Sequence, residues 1–252
     1  MQDVFRLGAP VAGGGRTQAA LSQAGTVWEA LVTYYLNLGY AGTDAVAVRR
    51  TELPTAVADA LSVWDGPTRI AADVDSMVLY LPGLASLPDE PTDAAVQRTV
   101  ASLFADQFRD ATVVVLACKT TWADSIQTPM LWNLLYSLRR QRVAIPGGLA
   151  IGTGQYSLDA LNGFSYAFIT VPTQPAIRFK AQSLPVLRGR TMSGGHFWGR
   201  PTQNNIAPSL SEFFSRQAAI VRIAPPGYAG VALAREGRAP AGRIDLNAFD
   251  LI

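Results

Sequence analysis

Cysteine and histidine each occur once in the 252 residues, as Cys118 and His196. A disulfide framework within the chain is therefore excluded, and a reducing cytoplasm is the expected setting. The same scarcity excludes a zinc finger or a histidine-rich metal centre, which need several such ligands. No run of 18 apolar residues occurs, so no membrane-spanning helix is expected. The opening MQDVFRLGAPVAGGG has no basic stretch followed by an apolar one, and no secretory signal is expected there. Charged residues make up only 16% against 49% apolar, which marks a globular chain rather than a disordered one. Lysine is nearly missing: of 21 basic residues, only Lys119 and Lys180 are lysines. In an arginine-, alanine- and glycine-rich background, a lysine marks a place where arginine does not serve. Arginine is a wide, permanently charged fork, whereas lysine is a compact charge whose pKa can be tuned.

The length suits one domain with a substantial core, and the net charge of +2 permits a polyanionic partner without requiring one. Residues 1–16 read as a loose arm. Gln18 to Leu38 has apolar residues at helical spacing and is expected to stop at Gly39. Pro54 to Leu61 reads as a short helix and Arg69 to Leu81 as one strand closed by Pro82-Gly83. Thr92 to Phe108 reads as an amphipathic helix with Thr92 as its cap. Thr112 to Lys119 (TVVVLACK) is β-branched and apolar nearly throughout, as a central strand should be. Pro129 to Arg142 follows as a helix, then strands at Gly148 to Ile151 and Tyr166 to Val171, and a short helix from Ser209 to Arg216. No linker interrupts the chain, so a single domain over 1–252 is expected.

Chemistry concentrates around Asp73, Asp75, Ala117 and Lys119. On a strand alternate residues share a face, which puts Asp73 with Asp75, and Ala117 with Lys119, leaving Cys118 opposite as a packing residue. If the two strands pair, carboxylates and a lysine meet at one sheet edge. An unpaired cation at the end of an apolar strand would be costly, so Lys119 should find an anion or open into a cleft. This residue set suits phosphodiester hydrolysis: carboxylates hold Mg²⁺, a hard ion, and a lysine orients the attacking water and offsets developing charge. The plainer alternative is that one aspartate caps a strand end and pairs with Lys119.

The stretch LACKTTWADSIQTPMLWNLLYS resembles the second half of the active site in bacterial type II restriction endonucleases of the PD-(D/E)xK class. There a strand ends in Glu-x-Lys, and a polar turn and a glutamine-bearing helix follow. Cys118, Lys119, Thr120, Gln127 and Trp132 fall in that pattern, and DVDSMVLYL resembles its first half. TVWEALVTYYL resembles the helix that sets a glutamate beside the metal, which nominates Glu29; Trp28, Leu31, Val32 and Tyr35 leave it on a mostly apolar helix. The resemblance spans three segments between about residues 25 and 137. It implies an α/β fold with a central mixed sheet flanked by helices. It further implies Mg²⁺-dependent cleavage of a specific double-stranded DNA site, Asp73 and Asp75 as metal ligands, Lys119 positioning water, and a homodimer on a palindromic site. The departure is Ala117, where the class carries a carboxylate. Three accounts follow: a substitution made to block cutting, which the intact flanking pattern favours; a carboxylate supplied from elsewhere, by Glu29 or Glu52; or a natural non-cutting relative that still binds DNA.

Residues 184–207 form a polar, glycine-rich candidate recognition loop. It carries Arg188, Arg190, His196, Arg200, Gln203, Asn204 and Asn205. Arginine reads guanine, and asparagine or glutamine reads adenine, in the major groove. His196 is expected to pack or touch DNA rather than act as a base. GAPVAGGGRT lacks the lysine of a phosphate loop, and no G-x-S-x-G elbow is present.

Overall fold

A computed structural model of the chain describes residues 18–86, 93–119 and 127–170. The arm at 1–16, the Thr92 cap, Thr120, the 184–207 loop and the 209–216 helix lie outside the described residues. The described elements run α1 (Gln18–Tyr40), β1 (Ala45–Arg49), α2 (Thr55–Leu61), β2 (Val63–Asp65), β3 (Thr68–Ile70), β4 (Ser76–Tyr80), α3 (Asp93–Asp106), β5 (Thr112–Lys119), α4 (Gln127–Arg140), β6 (Leu149–Ile151) and β7 (Gly163–Thr170).

The fold is mixed α/β. A four-stranded sheet in the order β1-β4-β5-β7 is antiparallel from β1 to β5 and parallel between β5 and β7. The apolar TVVVLACK segment is β5, which lies between two partners and is buried along its length up to Lys119. Its side chains alternate between two cores. Val114, Leu116 and Cys118 pack with Trp28, Val32 and Leu36, residues four apart on α1. Val113, Val115 and Ala117 pack on the other face with Val57 of α2, Phe104 of α3, and Trp132 and Tyr136 of α4. Helices thus cover both faces, which is why β5 can be apolar on both. Each fully buried large apolar side chain contributes about 1.5–3 kcal/mol, so these two cores outweigh any surface interaction in holding the layers together. No helix among the described residues is long and apolar enough to cross a membrane.

Three sequence expectations are corrected. First, α1 runs through Gly39 to Tyr40. The turn that ends it uses Gly42 at φ 76°, with the Thr43 amide and hydroxyl both donating to the Tyr40 carbonyl. Second, the expected single strand from Arg69 to Leu81 is two strands in two sheets. A tight hairpin at Gly66-Pro67, with Gly66 at φ 55°, folds β3 back on β2, and β2 also pairs with β6 to form a separate three-stranded sheet. All three β3 residues are exposed, so nothing carries that strand into the main core. Third, residues 71–75 therefore cross between the two sheets, and Asp73 and Asp75 lie on this crossing rather than on one strand face.

Candidate functional site

The two strands that bear the candidate residues do pair, antiparallel, with Ser76 opposite Leu116. That ladder ends there, while β5 continues to Lys119 paired only with β7 on its other side. The Cys118 amide consequently faces the edge where β4 has not yet begun. Asp75 fills that place: its Oδ2 accepts from the Cys118 amide at 2.7 Å and from Lys119 Nζ at 2.9 Å. The Asp75 carbonyl accepts from the Arg50 amide at 3.2 Å, which ties the same residue to the end of β1. Lys119 Nζ also stands 3.9 Å from Asp73 Oδ2. The expectation that Lys119 needs an anionic partner is met.

Burial decides the electrostatics. The side chains of Lys119 and Asp75 are 18% and 14% exposed, against 35% for Asp73. Burial pulls the Lys119 ammonium down, but Asp75, by charge and hydrogen bond, and then Asp73 outweigh it, so the net shift is upward and Lys119 stays charged. Burial pushes the Asp75 carboxyl above its ordinary value, opposed by Lys119 and the Cys118 amide and reinforced by Asp73. The Cys118 thiol is pushed well up, first by burial and then by Asp75 and Glu29, which makes it a packing residue and no nucleophile.

Glu29 reaches this site through a polar stripe on α1. Glu29, Thr33 and Asn37 recur every four residues on a helix that is otherwise mostly apolar. Asn37 clamps the outer edge of β1, donating to the Ala47 carbonyl at 2.9 Å and accepting from its amide at 2.7 Å. The Thr33 hydroxyl meets that of Ser76, both buried, at 2.9 Å. Those two contacts fix α1 in register with the start of β4, and Glu29, one turn earlier, falls within the field of Asp75. Its carboxyl is raised to about 7, chiefly by burial and then by Asp75, with Lys119 and Arg49 opposing. Glu52, the other alternative carboxylate, is engaged elsewhere: it accepts from the Arg49 backbone at 3.0 Å and pairs with the Arg49 guanidinium at 3.1 Å.

Ala117 is 1% exposed and belongs to the core on the α4 side of the sheet. Two tyrosines border that part of the core. Tyr136 of α4 donates its hydroxyl to the Leu61 carbonyl at 3.0 Å, and its ring lies 5.9 Å from that of Tyr166 on β7. Tyr166 is equally buried. Sequence reasoning missed Tyr166, Thr33 and Asn37. The four-residue recurrence of polar side chains along α1 was the available signal for the latter two; nothing in the sequence singled out Tyr166. Of the nominated residues, Lys119, Asp75 and Asp73 are brought together, and Glu29 feels the charges of all three. Gln127 opens α4 and is exposed, and Trp132 is buried in the core. The Arg188, Arg190, His196, Arg200, Gln203, Asn204 and Asn205 cluster lies outside the described residues.

Among the described residues no three His, Cys, Asp or Glu side chains converge closely enough to hold a metal ion. The donors on hand, Asp75 and Asp73 with Glu29 nearby, are hard carboxylate oxygens of the kind Mg²⁺ selects, and this ion ordinarily takes only one or two carboxylates from a protein beside substrate phosphates. The donor chemistry fits, with the ligand number at its lower limit because position 117 offers a methyl group. Comparison of the chain with protein-family models, with curated proteins and with solved structures returns no match.

Proposed function

We propose that this chain is a DNA endonuclease of the PD-(D/E)xK type, built to hydrolyse phosphodiesters with Mg²⁺ and held back from cutting by Ala117. The observation that carries the reading is the contact of Lys119 with Asp75 at 2.9 Å and Asp73 at 3.9 Å, at the end of the central strand and within the electrostatic field that Glu29 shares. A mixed sheet with an antiparallel β1-β4-β5 run and a parallel β7, capped by α1 on the Glu29 side, supports the same reading. In it, Asp75 and Asp73 would hold the ion, with Glu29 as a supporting carboxyl on α1. When bound, Mg²⁺ supplies charge to the phosphoryl oxygens and lowers the pKa of water. Lys119 orients the attacking water and offsets charge on the phosphorane. Residues 184–207 supply base and phosphate contacts, and two copies of the chain face a palindromic duplex.

The alternative of a DNA-binding protein that never cuts is favoured by one observation: Ala117 is packed into a closed core and not exposed at a cleft. The assay that separates them compares the chain as it stands with Ala117→Glu, each incubated with plasmid and Mg²⁺. Discrete fragments from the Glu variant alone support the nuclease. No fragments from either, on DNA shown to be bound, support the binding protein. Fragments from the unaltered chain would mean that Glu29 completes the site. Absence of salt-sensitive binding to every duplex in a random library would remove both readings.

A further inference from the structure

Tyr166 poses a problem that the rest of the site does not solve. Its side chain is 4% exposed, and its hydroxyl has no hydrogen-bond partner. A buried hydroxyl left unpaired is expensive, and native folds rarely tolerate one without a reason. Its neighbour Tyr136 shows the usual solution, a bond to the Leu61 carbonyl. The register tells where the orphan stands. In the parallel β5–β7 ladder Val115 lies opposite Tyr166 and Ala117 opposite Phe168. Val115, Ala117, Tyr166 and Phe168 all belong to the same core, so Tyr166 and Ala117 rise from one face, one pleat apart on adjacent strands. Strand spacing and rise put their Cβ atoms roughly 8 Å apart, a gap that a tyrosine and a glutamate side chain close between them. Burial, then Tyr136 and the charges of Asp73 and Asp75, disfavours ionisation of Tyr166, so its hydroxyl keeps the proton it would donate.

We propose that Tyr166 is a positioning residue whose hydroxyl donates to an acidic side chain at position 117, so that the fold retains the holder of a carboxylate that Ala117 no longer provides. This rests on the nuclease reading for its purpose but not for its geometry. Lys119 is already engaged by Asp75, so a carboxylate entering this core needs a second donor, and among the described residues of this sheet face the Tyr166 phenol is a donor without an acceptor.

The test is a double-mutant cycle read by thermal unfolding without metal. It uses the full chain, Tyr166→Phe, Ala117→Glu and the double variant. In the chain as it stands, Tyr166→Phe removes an unsatisfied group and should leave the midpoint unchanged or raise it. With Ala117→Glu present, the same change should lower it by about 3–10 °C, since a hydrogen bond to a charged group is lost. The reversal of sign is the expected result; an equal effect of Tyr166→Phe in both backgrounds overturns the proposal. If Ala117→Glu does not fold, Ala117→Gln offers a neutral acceptor of the same reach and must give the same reversal. Adding Mg²⁺ separates this inference from the function. Reversal with no Mg²⁺ stabilisation and no cleavage upholds the Tyr166 role and removes the nuclease reading. Restored cleavage with no reversal upholds the nuclease and overturns the role of Tyr166.

Discussion

The Lys119–Asp75 pair can be tested without any DNA. Removing the ammonium by Lys119→Met leaves Asp75 as a carboxylate that is 14% exposed, with the Cys118 amide at 2.7 Å as its remaining close donor and Asp73 as a like charge nearby. Breaking one side of a buried ion pair costs about 3–5 kcal/mol, because the surviving charge is stranded. Asp75 has a way out, which is to take up a proton, and every unit by which its pKa rises costs about 1.4 kcal/mol at high pH. We therefore expect the variant to lose about 3 kcal/mol at pH 8, a fall of about 6–12 °C in Tm for a chain of this size. The sign follows from the direction of the shift. Asp75 already sits above its ordinary value near 3.8, and loss of Lys119 raises it further. Stability associated with a raised carboxyl is fully present below its unfolded pKa and is lost as pH rises through the folded one. The difference between parent and variant should thus be small at pH 4.5 and grow toward pH 8. Urea melts of both proteins across that range measure it. The double variant Lys119→Met with Asp75→Asn keeps an oxygen for the Cys118 amide and removes both charges, so most of the loss should return. A parent–variant difference that is flat with pH, or a double variant as weak as the single, would refute the argument that stranded charge at Asp75 is the cause.

Three further outcomes are expected. Glu29, raised to about 7, should make the protein less stable as pH climbs from about 4.5 through 7, and Glu29→Gln should flatten that slope in urea melts at fixed ionic strength. Asn37→Ala strands both the amide and the carbonyl of Ala47 on the outer side of β1 and should cost about 1–3 kcal/mol, with faster hydrogen exchange at Ala47; a loss under about 0.5 kcal/mol would mean that water takes over both bonds. In a chain carrying Ala117→Glu that cuts DNA, Lys119→Arg should still bind duplex and fail to cut, because the fork neither fits beside Asp75 nor shares its proton; normal cleavage would contradict the role given to Lys119.

The parts of the fold that the sequence announced are those fixed by local pattern. TVVVLACK is central because an all-apolar β-branched run has nowhere else to go, and Trp28, Val32 and Leu36 declare their helix face by spacing alone. Lys119 was legible for a related reason: a charge at the end of such a run must be compensated. The failures came where a tertiary choice overrode the pattern. Arg69 to Leu81 holds no proline or glycine and so reads as one strand, yet the Asp65-Gly66 turn signal upstream folds its first residues into a second sheet. Asp73 and Asp75 do approach Lys119, but because the chain crosses between sheets there and not because strand alternation aligns them. Tyr166 carried no sequence signal because its distinction, a hydroxyl with no acceptor, exists only once β7 is laid beside β5.

What creates the site is a mismatch of strand lengths. Were β4 to start three residues earlier, the edge of β5 from Ala117 to Lys119 would be closed by backbone, and no side chain would be needed to satisfy the Cys118 amide. Because the ladder stops at Ser76 opposite Leu116, a side-chain acceptor has to serve, and Asp75 is the residue next in line. A carboxylate used in this way brings a charge that a backbone carbonyl would not, and that charge is buried. It is met by Lys119, and it adds to the burial that lifts the carboxyl of Glu29. The polar stripe of α1 holds Glu29 in that place through Thr33 and Asn37, whose bonds to Ser76 and Ala47 would be wasted if the helix were free to slide. The cluster is thus a consequence of ending β4 early.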